Sequence, residues 1–145
     1  MAARGTRRQA REAALQVLYA ADVQSRLEPD HVREISEEVI RQFHLPVRAR
    51  ERTRELVLGV VLNRKTIDER IAAASTRWKL HRIATVDRNV LRIATYELLF
   101  EPETPREVII NEAVEVARRF GGEESPAFAN GVLDVIAHGR GARGS

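Results

Sequence analysis

Cysteine is absent from the chain. That excludes disulfides, thiolate nucleophiles and thiolate-held zinc, and it favours a reducing compartment. No run reaches the roughly 18 apolar residues that would read as a membrane span. The N-terminal segment is basic but lacks the apolar stretch of a signal peptide, so the expected location is the cytoplasm. Strict apolar alternation, the mark of a half-buried strand, does not occur, and neither does an internal repeat.

The signatures of enzymes are missing too. There is no GxSxG, no P-loop and no dinucleotide-binding fingerprint. His31, His44, His81 and His138 are never four apart and form no HExxH. Each is expected at the surface or in a satisfied hydrogen bond, not on a metal. The carboxylates Glu37–Glu38 and Glu123–Glu124 are sequence neighbours, which point in different directions on a helix. Glu37 with Arg41, and Glu115 with Arg119, have the spacing of ordinary helical ion pairs. We expect no catalytic residue, no metal and no cofactor, and a function that lies in binding.

What is present reads as helix. The 145 residues suit one domain, and 43% of them are hydrophobic. Proline and glycine fall between the apolar-periodic segments, not inside them. A first helix is expected over about residues 7–24. Pro29 and Asp30 open a second, with Val32, Ile35, Val39, Ile40 and Phe43 on one face. Residues 48–75 carry Leu56, Val57, Val60, Val61, Ile67 and Ile71 in helical period. This span is long for a single helix, and "TIDE" at 66–69 has the form of a capping box. One helix and two are both open here.

"VDRNVLRIATYELLF" (86–100) is apolar around much of its circumference, as in a helix at the centre of a bundle. Thr104, Pro105 and Glu107 form a start signal with Thr104 as N-cap. Val108, Ile109, Ala113, Val114, Ala117 and Phe120 line the helix that follows, and Gly121 and Gly122 stop it. Ser125 and Pro126 open a last helix with Phe128, Val132, Leu133, Val135 and Ile136 for the core. The expectation is an all-α single domain of about six or seven helices.

Net charge is only +3, yet it is unevenly spread. Residues 1–21 hold Arg4, Arg7, Arg8 and Arg11 against Glu12 alone. The C-terminal "HGRGARGS" adds Arg140 and Arg143 without an acid. Such patches often mark nucleic-acid contact. A helix N-terminus carries partial positive charge and disfavours cations, so the four arginines conflict with their place. Counting back from Leu15, positions 11, 8 and 4 continue the stripe of Leu15 and Leu18. A buried unpaired charge is very costly, so the stripe is expected to leave the core before Arg11. The arginines would then overhang the bundle or uncoil as an arm, offering guanidinium forks to an external anion. Tyr19, at the edge of the stripe, either stacks on a base or finishes the core. Arginines with a nearby aromatic suit single-stranded RNA, and a solvated basic terminus is the plain alternative.

"RRQAREAALQVLY", "VDRNVLRIATYELLF", "INEAVEVARRFG" and "SPAFANGVLDVIA", in this order over about residues 6–138, resemble the NusB transcription antitermination factor family. The resemblance implies an all-helical fold of two small packed helical subdomains. It implies binding of boxA, a short single-stranded element of nascent RNA, together with NusE, which is also a small-subunit ribosomal protein. It further implies that the complex joins RNA polymerase with other Nus factors and suppresses termination in rRNA operons. A domain over residues 1–138 is expected, with a flexible basic arm at 1–7 and a disordered basic tail at 139–145.

Residue by residue, Arg7, Arg8 and Arg11 match the family's arginine-rich RNA-binding segment, with Gln9 where some relatives have a further arginine. Tyr19 matches an aromatic near the RNA. Asp87 and Arg88 match polar positions at the start of the central helix, implied to meet NusE. Phe128 matches an aromatic on the RNA side, and Glu124 keeps an acidic position beside it. Ala127 departs from the pattern, since relatives often carry lysine there, which puts one phosphate contact in doubt. Asn130 and Gly131 read as structural, with Gly131 permitting close helix approach. The residues alone give Asp87 only as a polar helix start and Phe128 only as core.

Two other readings stay open at this point. A NusB-like domain also stands ahead of the catalytic α/β domain of small-subunit rRNA methyltransferases. The absence of a Rossmann-like segment and of cysteine argues against that reading. The other is a helical adaptor that binds only protein, with a homodimer as one form.

Overall fold

The structure is a computed structural model that describes the backbone of residues 2–144 and the side chains of residues 5–139. Among the described residues there are seven α-helices, one short 3₁₀ turn and no strand. The chain divides into two compact units, residues 1–62 and 63–145.

The first unit holds α1 (Ala2–Val23), α2 (Pro29–Gln42) and α3 (Val47–Leu62), each packed on the other two. Its core is aliphatic and small, led by Ala13, Ala14, Leu15, Val17 and Leu18 of α1. Val32 and Ile40 of α2 and Leu56, Val57 and Val60 of α3 complete it. The backbone is helical from Ala2, whereas the sequence pattern starts the helix near residue 7. α1 and α2 both end in a left-handed residue, Ser25 at φ 55° and His44 at φ 51°. In each case the next residue's N–H reaches back five positions, Arg26 to the Ala21 carbonyl and Leu45 to that of Ile40. This is the Schellman arrangement, which satisfies orphaned carbonyls at a helix end. Phe43, expected on the core face of α2, is exposed. It lies at the C-cap, beyond the last turn, where the helical stripe no longer governs direction.

The second unit holds α4 (Arg64–Ala74), the 3₁₀ turn Leu80–Arg82, α5 (Thr85–Phe100), α6 (Arg106–Phe120) and α7 (Ser125–Gly144). The 48–75 span is therefore two helices. They part at Asn63, ahead of the capping box expected at Thr66, because Asn63 supplies the first carbonyl of α4 to the Ile67 N–H. α5 is central, packed on α4, α6 and α7, as its all-round apolar sequence demands. It also buries polar groups. Arg92, 3% exposed, donates through Nε and Nη2 to both carboxylate oxygens of Asp68 on α4, at 2.9 and 3.1 Å. Its Nη1 donates to Asn89 Oδ1 at 3.0 Å.

α6 begins one residue later than its start signal suggests. Pro105, not Thr104, accepts the first helical hydrogen bond, from Ile109. Its buried stripe is Ile109, Ala113, Val116 and Ala117. That leaves Val108, one residue and about 100° off the stripe, exposed. Val135 of α7 is 55% exposed for the same reason, because Val132, Leu133 and Ile136 take the core.

The α6–α7 connection needs glycine at one point. A Cβ on Gly121 would lie 2.5 Å from Ser125 Oγ and 2.8 Å from the Ala117 carbonyl. Space, and not a left-handed φ, is what Gly121 supplies. Gly131 is the opposite case. Nothing lies within 4 Å of where its Cβ would be, so the close helix approach expected there does not occur within the described structure.

Candidate nucleic-acid interface

Two groups of site residues emerge, one in each unit. On α1, Arg7 is exposed, Arg8 is half-buried and Tyr19 is 41% exposed. Arg8, Arg11 and Tyr19 are spaced i, i+3 and i+11, which places them along one face of the helix. Arg11 corrects the sequence expectation. It is only 6% exposed and not left without a partner. The stripe does not leave the core before Arg11, because a long arginine can bury its aliphatic stem while its charged end is satisfied. Arg4, Arg140 and Arg143 fall outside the side chains described.

In the second unit a cleft of about 740 Å³ opens between the turn preceding α5, the start of α5 and the start of α7. Asp87, Glu124 and Phe128 all line it, as does Ala127. Asp87 Oδ1 is buried and accepts no hydrogen bond, and an incoming donor would offset the cost of an unsatisfied acceptor. Arg88 is placed differently. Its Nη1 donates to the Ile83 carbonyl at 3.0 Å and more weakly to that of Leu80 at 3.4 Å. It thus holds the 3₁₀ turn in place from α5.

The cleft also contains residues that the sequence pattern did not single out: Arg77, Trp78 and Arg82. Trp78 is 46% exposed, and both arginines are exposed. A signal for them exists. "RWKLHR" at 77–82 interleaves an aromatic with cations, and no acid occurs between Glu69 and Asp87. Weighing charge at the chain ends alone hides this internal run.

Among the described residues no group of three or more His, Asp or Glu side chains could hold a metal ion. No helix among them is long and apolar enough to cross a membrane.

The described residues place the molecule in a class: two-unit, all-helical proteins with exposed arginines and aromatics on α1 and at the turn before α5. The NusB family profile matches residues 8–138, and the chain belongs to the NusB family. It is 47% identical over 137 residues to the transcription antitermination protein NusB of Trichlorobacter lovleyi, covering 91% of this chain and 90% of that one. It is 46% identical to the transcription antitermination protein NusB of Sorangium cellulosum, covering 94% and 95%. Among solved structures, T. maritima NusB superposes with a TM-score of 0.78 at 40% identity, over 91% of this chain and 90% of that one. A structure of the antitermination factors NusB and NusE in complex with dsRNA superposes with a TM-score of 0.83 at 27% identity, over 92% and 97%.

Proposed function

We propose that this protein is a transcription antitermination factor that binds boxA-type single-stranded RNA together with NusE. Bound so, it acts in the cytoplasm on RNA polymerase, with other Nus factors, during transcription of rRNA operons. The observation that carries this reading is the cationic face of α1 in a member of the NusB family, with Tyr19 exposed beside it. Arg7 and Arg8 supply forked donors for phosphate or base edges, and Tyr19 supplies a face for stacking. Residues 1–138 form the RNA-binding domain. Glu124 and Phe128 contribute a second RNA contact region in the cleft, and Asp87 and Arg88, at the start of α5, meet NusE. Arg88 also holds the turn that forms one wall of the cleft.

The relatives bearing the antitermination name support the role, and the solved complex of NusB and NusE with dsRNA supports NusE and RNA as partners. A gel shift with boxA-type single-stranded RNA, with and without NusE, tests it. Retardation that strengthens when NusE is added is expected. No retardation in either case at low salt would overturn the function.

A further inference from the structure

The turn between α4 and α5 joins a run of cations to an exposed tryptophan. From Arg70 to Val86 the chain contains Arg70, Arg77, Lys79 and Arg82 and no acid. Within that run Arg77, Trp78, Lys79 and Arg82 are all exposed. An exposed tryptophan in the interior of a chain normally calls for a reason, because its large apolar surface gains most from burial.

The turn is also held in place before any ligand arrives. Ser75 Oγ donates to the Trp78 carbonyl at 2.8 Å, and Arg88 Nη1 donates to the carbonyl of Ile83. Ordering costs are thereby met within the fold, which favours binding. Behind the turn lies the cleft, with Phe128 on its far wall and the unpaired acceptor Asp87 Oδ1 in its lining.

We infer that the segment Arg77–Arg82 is a nucleotide clamp in its own right. Trp78 stacks on one unpaired base at the mouth of the cleft, while Arg77 and Arg82 hold the phosphates on either side of it. The inference rests on the reading that the protein binds single-stranded RNA, and it adds residues that the α1 arginines do not include. RNA is favoured over a basic peptide because the exposed turn carries Arg77, Lys79 and Arg82, which repel lysine and arginine side chains, while the acids of the lining, Asp87, Glu123 and Glu124, lie outside the turn. It is favoured over duplex RNA because paired bases offer no free face to an indole.

Trp78 is the sole tryptophan of the chain, so its emission reports this site directly. The experiment titrates fluorescein-labelled boxA-type single-stranded RNA into the full-length protein, alone and with NusE. It follows label anisotropy and tryptophan emission together, reading emission against NusE by itself. Both signals are expected to change with the same midpoint, and a duplex of the same sequence should leave emission unchanged. Trp78→Ala should weaken binding roughly five-fold or more, the lower end for loss of one base–aromatic stack. Arg77→Ala combined with Arg82→Ala should lower the slope of log affinity against log salt by about 1.4, at about 0.7 for each phosphate no longer neutralised.

If Trp78→Ala fails to fold, Trp78→Phe and the emission of the wild-type protein decide. Anisotropy that rises while emission stays flat would overturn the clamp and leave the RNA-binding function standing. A change in emission with NusE and none with RNA would also overturn it, assigning the cleft to protein. No anisotropy change under any condition would overturn the clamp and the function together.

Discussion

Arg8 and Arg11 are three residues apart on one helix face, yet they face opposite demands. Arg8 is half-buried, whereas Arg11 is enclosed in the core of the first unit. Arg8→Ala should therefore flatten the salt slope of RNA binding by about 0.7 and lower the melting temperature less than Arg11→Ala does. Arg11→Ala should lower the melting temperature as well, since it empties part of a core and strips a partner from a buried group. Equal melting temperatures for the two variants would contradict the burial difference. The glycines divide in a similar way. Gly121→Ala should cost about 1–3 kcal/mol, because its methyl group meets Ser125 and the Ala117 carbonyl. Gly131→Ala should instead stabilise the protein by about 0.5–1 kcal/mol, as the site is open and helical. Chemical denaturation of both variants checks the two signs. The sequence marks Gly121 as a helix stop, but only packing tells a crowded glycine from an open one.

Among the elements, the ion pairs show what periodicity can and cannot assign. The spacing of Glu37 and Arg41 suggests a pair within α2. Glu37 accepts two hydrogen bonds from Arg54 of α3, at 2.8 and 2.9 Å, and Arg41 adds a smaller charge attraction. The Arg54 hydrogen bonds hold the Glu37 carboxyl below its ordinary value near 4.5, and Glu37 in turn raises Arg54. A carboxyl with a lowered folded pKa contributes stability above its unfolded pKa and loses it as pH falls through the folded value. Glu37→Gln should thus be less stable than wild type near neutral pH, and the difference should close below about pH 4.5. Both groups are substantially solvent-exposed, so the gap should be small and should narrow in high salt. Urea titrations across pH measure it.

The α4–α5 pair is of another kind, with Arg92 enclosed and Asp68 16% exposed at the side chain. Asp68→Ala leaves an uncompensated buried guanidinium and should cost about 3–5 kcal/mol, whereas Arg92→Met together with Asp68→Leu should recover much of the loss. Full destabilisation in the double variant would refute that account. An arginine in the middle of an apolar helix is visible in the sequence. Its carboxylate, on another helix 24 residues away, is not.

For the molecule as a whole, the small net charge of +3 says little about its affinity for a polyanion. What matters is that cations gather in particular places: on α1 in one unit and on the turn before α5 in the other. Removing residues 1–8 should weaken RNA binding and reduce its salt dependence. The melting temperature should fall by only a few degrees, because among the described residues the first buried one of α1 is Ala10, with Thr6 and Arg8 only half-buried. A large fall in stability would show instead that the first turns belong to the fold.

Local sequence is enough to make this protein helical, to make α5 its most enclosed element and to gather arginines at the start of α1. Those properties follow from periodicity and from residue type, which need no knowledge of what lies opposite. The remainder came from tertiary packing. It buried Arg11 and exposed Phe43, Val108 and Val135. It split residues 48–75 at Asn63, turned Arg88 onto backbone carbonyls, and set Trp78 at the same cleft as Phe128. Each of these depends on which side chains from distant segments meet, and a helical period records direction around one axis without recording what stands there.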